Sequence, residues 1–271
     1  MKRHYKIIAI VLLVAVGAYS FTLLEKKPVQ SAEQATETTK VRYEIPTLHN
    51  GQPEQVIEHL GYTVSYNSDW MTANWVAYEL TNFETDGEAE RQSKKFQPDP
   101  QVIGERVTTQ DYTHSGYDRG HLAPAADMKW SEKAMEESFY MTNICPQNHN
   151  NNAGDWKSLE EQARDWAQAF GSIYICCGPI VAANPPHIGN EHSIAVQESF
   201  YKVFLRKKGD TWATIGFVMP NAAGASPLMT YMHTVDEVEE MTGIDFFSSL
   251  PEEVQQVVEA DYTVADWTVH N

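Results

Sequence analysis

The chain has 271 residues, of which 42% are hydrophobic, so it can bury a sizeable core in one large domain or two small ones. Its 37 acidic residues outnumber its 20 basic residues and give a formal net charge of -17. This balance excludes a protein that is coated in positive charge and adheres unspecifically to polyanions. A local basic cleft or a divalent metal can still bring phosphates to it, because salt screens fields beyond roughly 10 Å.

The N-terminus predicts an export segment. Basic residues at positions 2, 3 and 6 precede an uncharged run over residues 7–24. Ala18-Tyr19-Ser20 resembles a small-x-small cleavage site, whereas the run is near the lower limit of the roughly 17 to 25 residues that span a bilayer. The sequence therefore leaves two alternatives for residues 1–26, a cleaved signal peptide or a retained membrane anchor. Both predict a domain outside the cytoplasm that is periplasmic, secreted or membrane-anchored.

A flexible linker is predicted for residues 27–40, which are rich in Gln, Glu, Thr and Ala and contain almost no large apolar side chains. One mixed domain is predicted for residues 41–271, because no repeat and no composition shift divides them. Cys145, Cys176 and Cys177 are an odd number and encode no disulfide scaffold. Without a C-x-x-C spacing, they are more typical of small buried apolar residues than of a metal site.

Apolar and β-branched patterns predict both strands and helices in this domain. Strands are expected at residues 63–67, 74–80, 172–180, 200–205 and 211–219. Helices are expected at residues 131–140 with Ser131 as cap, at 152–170, from the capping box at 234–237 to a stop before Gly243, and from Pro251 through Glu259.

Residues 82–100 are polar and charged and predict a surface connection. Arg91, Lys94 and Lys95 stand out within it because the chain as a whole is acidic. A solvated loop is the simpler interpretation, and a contact with substrate phosphate is the alternative.

The densest group of chemically active side chains lies at residues 117–128, which read YDRGHLAPAADM. Asp118, Arg119 and His121 lie within four residues around Gly120, which predicts that an acid, a guanidinium and an imidazole emerge from one sharp bend. Because histidine titrates near neutrality, His121 suits the role of general base. Taken alone, however, a single histidine is more often a hydrogen-bonded structural residue.

A second group belongs to the helix predicted at residues 152–170, whose apolar residues recur at helical spacing. Asn152 is expected at its start, and one asparagine carbonyl is enough for Mg²⁺, which keeps several waters. Glu160 and Arg164 are four residues apart, which is also the spacing of an ordinary surface ion pair. Arg119 and Arg164 can each grip phosphate oxygens with two bonds, a geometry that lysine cannot reproduce.

These motifs resemble the DNA/RNA non-specific endonuclease family, which includes secreted bacterial sugar-non-specific nucleases and mitochondrial endonuclease G. The resemblance covers residues 62–258, and its motifs occur in register. They are Asp118-Arg119-Gly120-His121-Leu122-Ala123-Pro124, Asn143, Pro146-Gln147, Asn152, Trp156, Leu159-Glu160, Cys177-Gly178-Pro179, Phe217-Val218-Met219-Pro220-Asn221, Thr234-Val235-Asp236-Glu237 and Leu250-Pro251.

The resemblance implies an α+β fold of the ββα-metal nuclease type. A mixed central antiparallel sheet is flanked by helices, and the export or anchor helix precedes it. By position, His121 matches the general base and Asn152 matches the sole protein ligand of a hydrated Mg²⁺, with Mn²⁺ or another divalent cation as alternatives. Glu160 matches an acidic residue near the metal-bound waters. Because Asn151 precedes Asn152 directly, a shift of the ligand to Asn151 stays open.

The resemblance also implies a set of phosphate contacts. Arg119 and Arg164 match arginines that contact or stabilise the phosphate, whereas Asp118 is expected to brace the motif. A further family arginine lies upstream and corresponds to Arg91 or Lys94. Sequence alone does not choose between these two.

The implied function is a magnesium-dependent endonuclease that hydrolyses phosphodiester bonds of DNA and RNA with little sequence specificity. The expected partners are DNA and RNA, the membrane through an uncleaved N-terminal segment, and a second copy of the chain in a homodimer. One alternative is a non-catalytic descendant that binds nucleic acid or a protein partner at the cell surface. Another is a zinc enzyme that uses His121, His149 and a cysteine such as Cys145.

Overall fold

A computed structural model describes residues 40–222, 224 and 226–269. The residues from Val41 onward form one compact unit. The predictions for residues 1–26, and for all of the linker before Lys40, lie outside the described residues, and the three-part division of the chain stays a prediction. Within the described ranges, no helix is both long and apolar enough to cross a membrane.

The strands of the described ranges are short at the edges of the fold and long at its centre. They are β1 Thr47–Leu48, β2 Gln55–Glu58, β3 Thr63–Asn67, β4 Thr72–Thr81, β5 Asp118–His121, β6 Ile144–Gln147, β7 Ser172–Ile180, β8 His187–Ile188, β9 Ile194–Ala195, β10 Ser199–Lys208, β11 Thr211–Pro220, β12 Met232–His233 and β13 Ile244–Asp245. The helices are α1 Glu132–Glu137, α2 His149–Ala153, α3 Asp155–Phe170, α4 Val235–Thr242 and α5 Glu252–Val258.

A seven-stranded antiparallel sheet in the order β12-β11-β10-β7-β4-β3-β2 forms the centre of the domain. Successive side chains of a strand point to opposite faces. Phe200 and Phe204 of β10 therefore pack in the core beneath α3, whereas Tyr201 and Val203 pack in a second core with α4 and α5. The predicted α+β fold, with a central antiparallel sheet flanked by helices, is confirmed.

Most predicted elements are confirmed, because local signals specify them. Ser131 caps α1 by accepting a hydrogen bond from the Ala134 backbone N–H, and Thr234 opens α4 with a complete capping box. Gly243 ends α4 in the left-handed conformation, with φ 68°. The three cysteines are free and buried, in agreement with the expectation of small buried apolar residues.

The prediction of one sharp bend at Asp118–His121 is wrong, because these residues form strand β5. This strand pairs with β6 in antiparallel register, with Gly120 opposite Cys145 and His121 opposite Ile144. A Cβ at position 120 would lie 2.1 Å from Oε1 of Gln147, so only glycine permits this close approach. Strands β5 and β6, followed by α2 and α3, give the ββα order that the resemblance implies.

The prediction that Asn152 begins the long helix is also wrong. Asn152 lies in the separate five-residue helix α2, which Asn148 caps by accepting a hydrogen bond from the Asn150 backbone N–H. Gly154 then interrupts the helix with φ −111° and ψ −105°. A Cβ there would meet the Asn150 carbonyl oxygen at 2.4 Å, so the break depends on glycine. Asn152 can thus point in a direction that a continuous helix would not give it.

The loop that follows His121 is fixed by the buried side chain of Asn143. Its Oδ1 accepts a hydrogen bond from the Ala123 backbone N–H at 2.9 Å, and its Nδ2 donates to the carbonyls of Ala123 and Ser138 at 2.9 and 2.8 Å. All these groups are out of contact with solvent water, so no replacement partner is at hand when the amide is removed.

We therefore expect Asn143→Ala to destabilise the protein by about 3 kcal/mol or more, because it leaves buried backbone groups unsatisfied. Urea unfolding of the full chain measures this change. The matched control is Asn190→Ala, which removes one exposed bond to the Gln110 carbonyl and should change stability by less than about 1 kcal/mol. Equal effects of the two substitutions would contradict the anchoring role of Asn143.

Candidate active site

His121 lies at the end of β5, where only 8% of its surface is exposed. Its ring packs edge-on against Phe139 with centroids 5.0 Å apart, and against Phe96 at 5.4 Å. Its carbonyl oxygen accepts a hydrogen bond from Trp156 Nε1 at 3.2 Å, which ties the strand to α3. The ring atom Nε2 is buried and has no hydrogen-bond partner. In a neutral imidazole one ring nitrogen carries a proton and the other can accept one.

Burial, together with the positive charge of Arg91, lowers the pKa of His121 from 6.5 to about 3. Desolvation disfavours the charged imidazolium, and a nearby cation adds repulsion. The imidazole is therefore neutral at physiological pH, which is the form that a general base requires.

Arg91 and Lys94, which sequence alone cannot separate, lie in different environments. The Arg91 guanidinium is exposed, lies 6.0 Å from the centre of the Phe139 ring, and acts electrostatically on both His121 and Glu160. Lys94 instead pairs with Glu132 at 2.6 Å. The structure thus places Arg91, and not Lys94, beside His121.

Arg119 lies two residues before His121 and therefore on the same face of β5. Its guanidinium lies 5.7 Å from the ring centres of both Phe96 and Tyr112, and its Nη2 donates to the Thr109 carbonyl at 2.7 Å. Its Nε is buried and has no hydrogen-bond partner. The aromatic rings fix the direction of this cation while part of its donor capacity stays unused.

Asp118 faces the other way and holds Asn152. Asp118 Oδ2 accepts a hydrogen bond from Asn152 Nδ2 at 2.9 Å and lies 2.8 Å from Nδ1 of His149. With its nitrogen engaged, the Asn152 amide has its oxygen available for a cation. Asn151 is 2% exposed and its Nδ2 has no partner. Asn152 is partly exposed, so its amide oxygen is more accessible to a cation than that of Asn151.

Asn221 positions α2, although sequence analysis gave this residue no role. Its Oδ1 accepts a hydrogen bond from the Asn148 backbone N–H at 2.7 Å, and its Nδ2 donates to the carbonyls of Pro146 and Gln197 at 3.0 Å. The end of β11 is thereby joined to the turn between β6 and α2, which carries Asn152.

Arg164 binds Asp127, so the alternative of an ordinary surface ion pair with Glu160 is wrong. Arg164 Nη1 lies 2.8 Å from Oδ1 of the buried Asp127, whose Oδ2 accepts a hydrogen bond from the Tyr78 hydroxyl at 2.9 Å. Asp127 belongs to the YDRGHLAPAADM stretch, yet its partner lies 37 residues further along the chain. Sequence spacing alone could not identify that pair.

Lys202 is a charged residue of this region that sequence analysis missed. It is fully buried on the α3 side of β10, with Nζ 4.5 Å from the Trp156 ring centre and 3.3 Å from the Leu122 carbonyl oxygen. The available signal was a lysine within the apolar strand pattern FYKVFL. Buried lysines are rare unless paired.

The charges of Asp127, Arg164 and Lys202 act on the carboxyl group of Glu160. Burial raises the pKa of Glu160 to about 7, with a further contribution from Asp127, whereas the cations Lys202 and Arg164 oppose the rise. Arg91 also lowers the pKa of Glu160. A carboxyl group with a pKa near neutrality changes its charge readily, which is typical of functional sites.

The zinc alternative requires His121, His149 and a cysteine to converge, and the geometry does not bring them together. Cys145 is buried beside the Thr72 hydroxyl at 3.0 Å, and His149 is exposed on α2. In the described ranges, no group of three His, Cys, Asp or Glu side chains close enough to share a metal ion contains any of these residues.

Comparison with known proteins identifies one family. The model of the DNA/RNA non-specific endonuclease family matches residues 43–253. The mitochondrial nuclease EXOG of Danio rerio is 37% identical over an alignment of 219 residues that covers 74% of this chain and 64% of that protein. The mitochondrial endonuclease G of Homo sapiens is 31% identical over an alignment of 223 residues that covers 77% of this chain and 73% of that protein.

A solved structure is similar as well. It is described as "Crystal structure of the EndoG/EndoGI complex: Mechanism of EndoG inhibition", has a TM-score of 0.71 and 27% sequence identity, and the match covers 78% of this chain and 91% of that chain. By contrast, the chain matches less than two thirds of the length of the Danio rerio nuclease.

These comparisons correct the predicted localisation. The expectation of an exported domain that is periplasmic, secreted or membrane-anchored is wrong, because the relatives are mitochondrial nucleases. A membrane partner is not supported either.

If Asn152 holds a divalent cation, Asp118→Ala should weaken metal binding by about 10- to 100-fold, because it releases the amide that Asp118 orients. Calorimetric titration of the full chain with Mg²⁺ measures this. The matched control is His149→Ala, which removes the other partner of Asp118 but whose side chain is 73% exposed. This control should bind Mg²⁺ with nearly unchanged affinity, whereas the zinc alternative requires it to lose the metal. Unchanged affinity in Asp118→Ala would contradict the orienting role.

Proposed function

Because this chain belongs to the DNA/RNA non-specific endonuclease family, we propose that it hydrolyses phosphodiester bonds of DNA and RNA with little sequence specificity. The observation that carries this proposal is the state of His121, a neutral imidazole whose buried Nε2 has no hydrogen-bond partner. Hydrolysis requires a group that removes a proton from the attacking water, and His121 is that general base. Phe96 and Phe139 restrict its ring so that Nε2 keeps one direction.

The residues present fit a hard divalent cation, for which we propose Mg²⁺, with Mn²⁺ or another ion as the alternative. Asn152 would hold it through the amide oxygen that the bond to Asp118 leaves available, and Glu160 would orient its waters. When bound, such an ion supplies positive charge that stabilises the transition state. This donor set consists of oxygens, which Mg²⁺ prefers, and contains no thiolate.

Arginines are proposed to hold the phosphate on either side of His121. Asp127 orients Arg164, the rings of Phe96 and Tyr112 orient Arg119, and Arg91 is exposed next to the imidazole. Contacts of this kind position a nucleic acid without reading its bases, which accounts for low sequence specificity. They also supply the local positive charge that the acidic chain as a whole lacks.

A non-catalytic descendant that binds nucleic acid or a protein partner is the alternative function. The retained His121, Asn152 and Glu160 favour catalysis, because binding alone requires neither a neutral base nor an oriented amide. A homodimer also stays a prediction.

We expect His121→Ala to reduce cutting of supercoiled plasmid by about 100- to 10,000-fold, because the general base is lost. Nicking by the full chain with Mg²⁺ measures the rate, and a chelator should abolish it. The matched control, His187→Ala, changes an exposed histidine on β8 and should keep the wild-type rate. No cutting by the wild type with any divalent cation would reject the nuclease function, and full activity of a folded His121→Ala protein would reject the base.

A second prediction concerns pH. Arg91 lowers the pKa of both His121 and Glu160, so Arg91→Ala should raise both values and move the acidic limb of the kcat/KM profile to higher pH. Lys94→Ala removes the same charge from a residue that pairs with Glu132 and should leave the limb in place. Profiles at constant ionic strength distinguish the two. If the acidic limb moved equally in both variants, the net charge of the protein, and not the position of Arg91, would determine it.

A further inference from the structure

Three carboxylates meet on the face of the central sheet opposite α3. Asp236 and Glu239 lie one turn apart on α4, and Glu259 directly follows α5. One oxygen of each carboxylate lies within 4.8 Å of the others. Helices α4 and α5 pack in the core that contains Tyr201 and Val203, whereas the proposed active site lies over the other core. These carboxylates therefore belong to a separate place in the fold.

Glu259 gives this cluster an unusual donor atom. The residue is 3% exposed, and its Oε1 is buried without any hydrogen-bond partner. Leaving a buried polar oxygen unsatisfied is costly, so such atoms usually mark a missing ligand, ion or water. Its backbone is fixed as well, because the Glu259 carbonyl accepts a hydrogen bond from the Asp236 N–H at 3.2 Å. The fold thus holds the buried carboxyl group of Glu259 beside those of Asp236 and Glu239.

Across the described part of the chain, no basic side chain balances the acidic residues of the cluster. Among the described residues, no lysine, arginine or histidine forms an ion pair with Asp236, Glu239 or Glu259. Burial raises the pKa of Glu259 to about 9, and repulsion from Glu239, Asp245 and Asp236 adds to the rise. Either protons or a cation can relieve this repulsion.

We propose that Asp236, Glu239 and Glu259 bind a calcium ion that is distinct from the catalytic cation. Ca²⁺ takes carboxylate oxygens at roughly 2.3–2.6 Å, so two ligands on opposite sides of it lie up to roughly 5 Å apart. The oxygens of this cluster fall within that range. Mg²⁺ binds at roughly 2.0–2.1 Å and uses only one or two protein carboxylates, so a site of three suits Ca²⁺ better.

Such an ion would stabilise the fold rather than take part in the reaction. Two of its ligands belong to α4 and the third follows α5, so the ion joins the two helices on one face of the sheet. A ligand that binds only the folded state raises the stability of the protein.

Thermal unfolding of the full chain with and without Ca²⁺ tests this proposal. At a hundredfold excess over the dissociation constant, Ca²⁺ should raise the Tm of the wild type by about 5 °C or more. Asn152→Ala, which removes the proposed catalytic ligand, should keep the rise. Glu259→Gln, which keeps the shape of the side chain but weakens cation binding, should lose it.

Two further variants complete the experiment. Asp236→Asn changes an exposed side chain, so it should fold even where Glu259→Gln does not, and it should also lose the rise. Glu252→Gln removes a carboxylate from α5 outside the cluster and should keep the rise. The proposal is overturned by a wild type that Ca²⁺ does not stabilise, by a rise that survives in Asp236→Asn, or by a rise that disappears in Asn152→Ala.

Discussion

The arrangement of the proposed active site depends on buried charges that must neutralise one another. Asp127 is buried with Arg164 and the Tyr78 hydroxyl as partners, and Lys202 is fully buried against Trp156. Removing one partner of a buried ion pair typically costs about 3–5 kcal/mol, because the remaining charge is left uncompensated. These charges lie on the segment after β5, on α3 and on β10, so their pairing fixes the position of α3 relative to the strand that carries the imidazole. Glu160 and the proposed general base, His121, are thereby held in one arrangement.

Two further features convert this arrangement into a site. Aromatic rings remove His121 from water and keep it neutral, while the break at Gly154 gives α2 its own direction and lets Asp118 orient the Asn152 amide. The proposed base therefore comes from a strand and the proposed metal ligand from a short helix. Tertiary contacts assemble the site, so a small shift of β5 or α2 would move His121 and Asn152 apart.

Local signals made much of this structure predictable from sequence. The apolar stripe of α3, the capping box at Thr234 and the β-branched strands specify elements that tertiary packing did not change. The order of the motifs along the chain was enough to identify the candidate residues and the family. Three features were not accessible, because each depends on a distant partner. β5 is a strand because β6 pairs with it, and Arg164 binds Asp127 across 37 positions. Arg91 lies near Phe139 and acts on His121, whereas Lys94 pairs with Glu132.

In the proposed reaction, the neutral imidazole of His121 and the oriented amide oxygen of Asn152 act on one phosphate. Crystals of the full chain soaked in Mn²⁺ test it directly through anomalous scattering. We expect a peak about 2.1 Å from Oδ1 of Asn152. A peak on Asn151, or an ion held by His149 and Cys145, would contradict it.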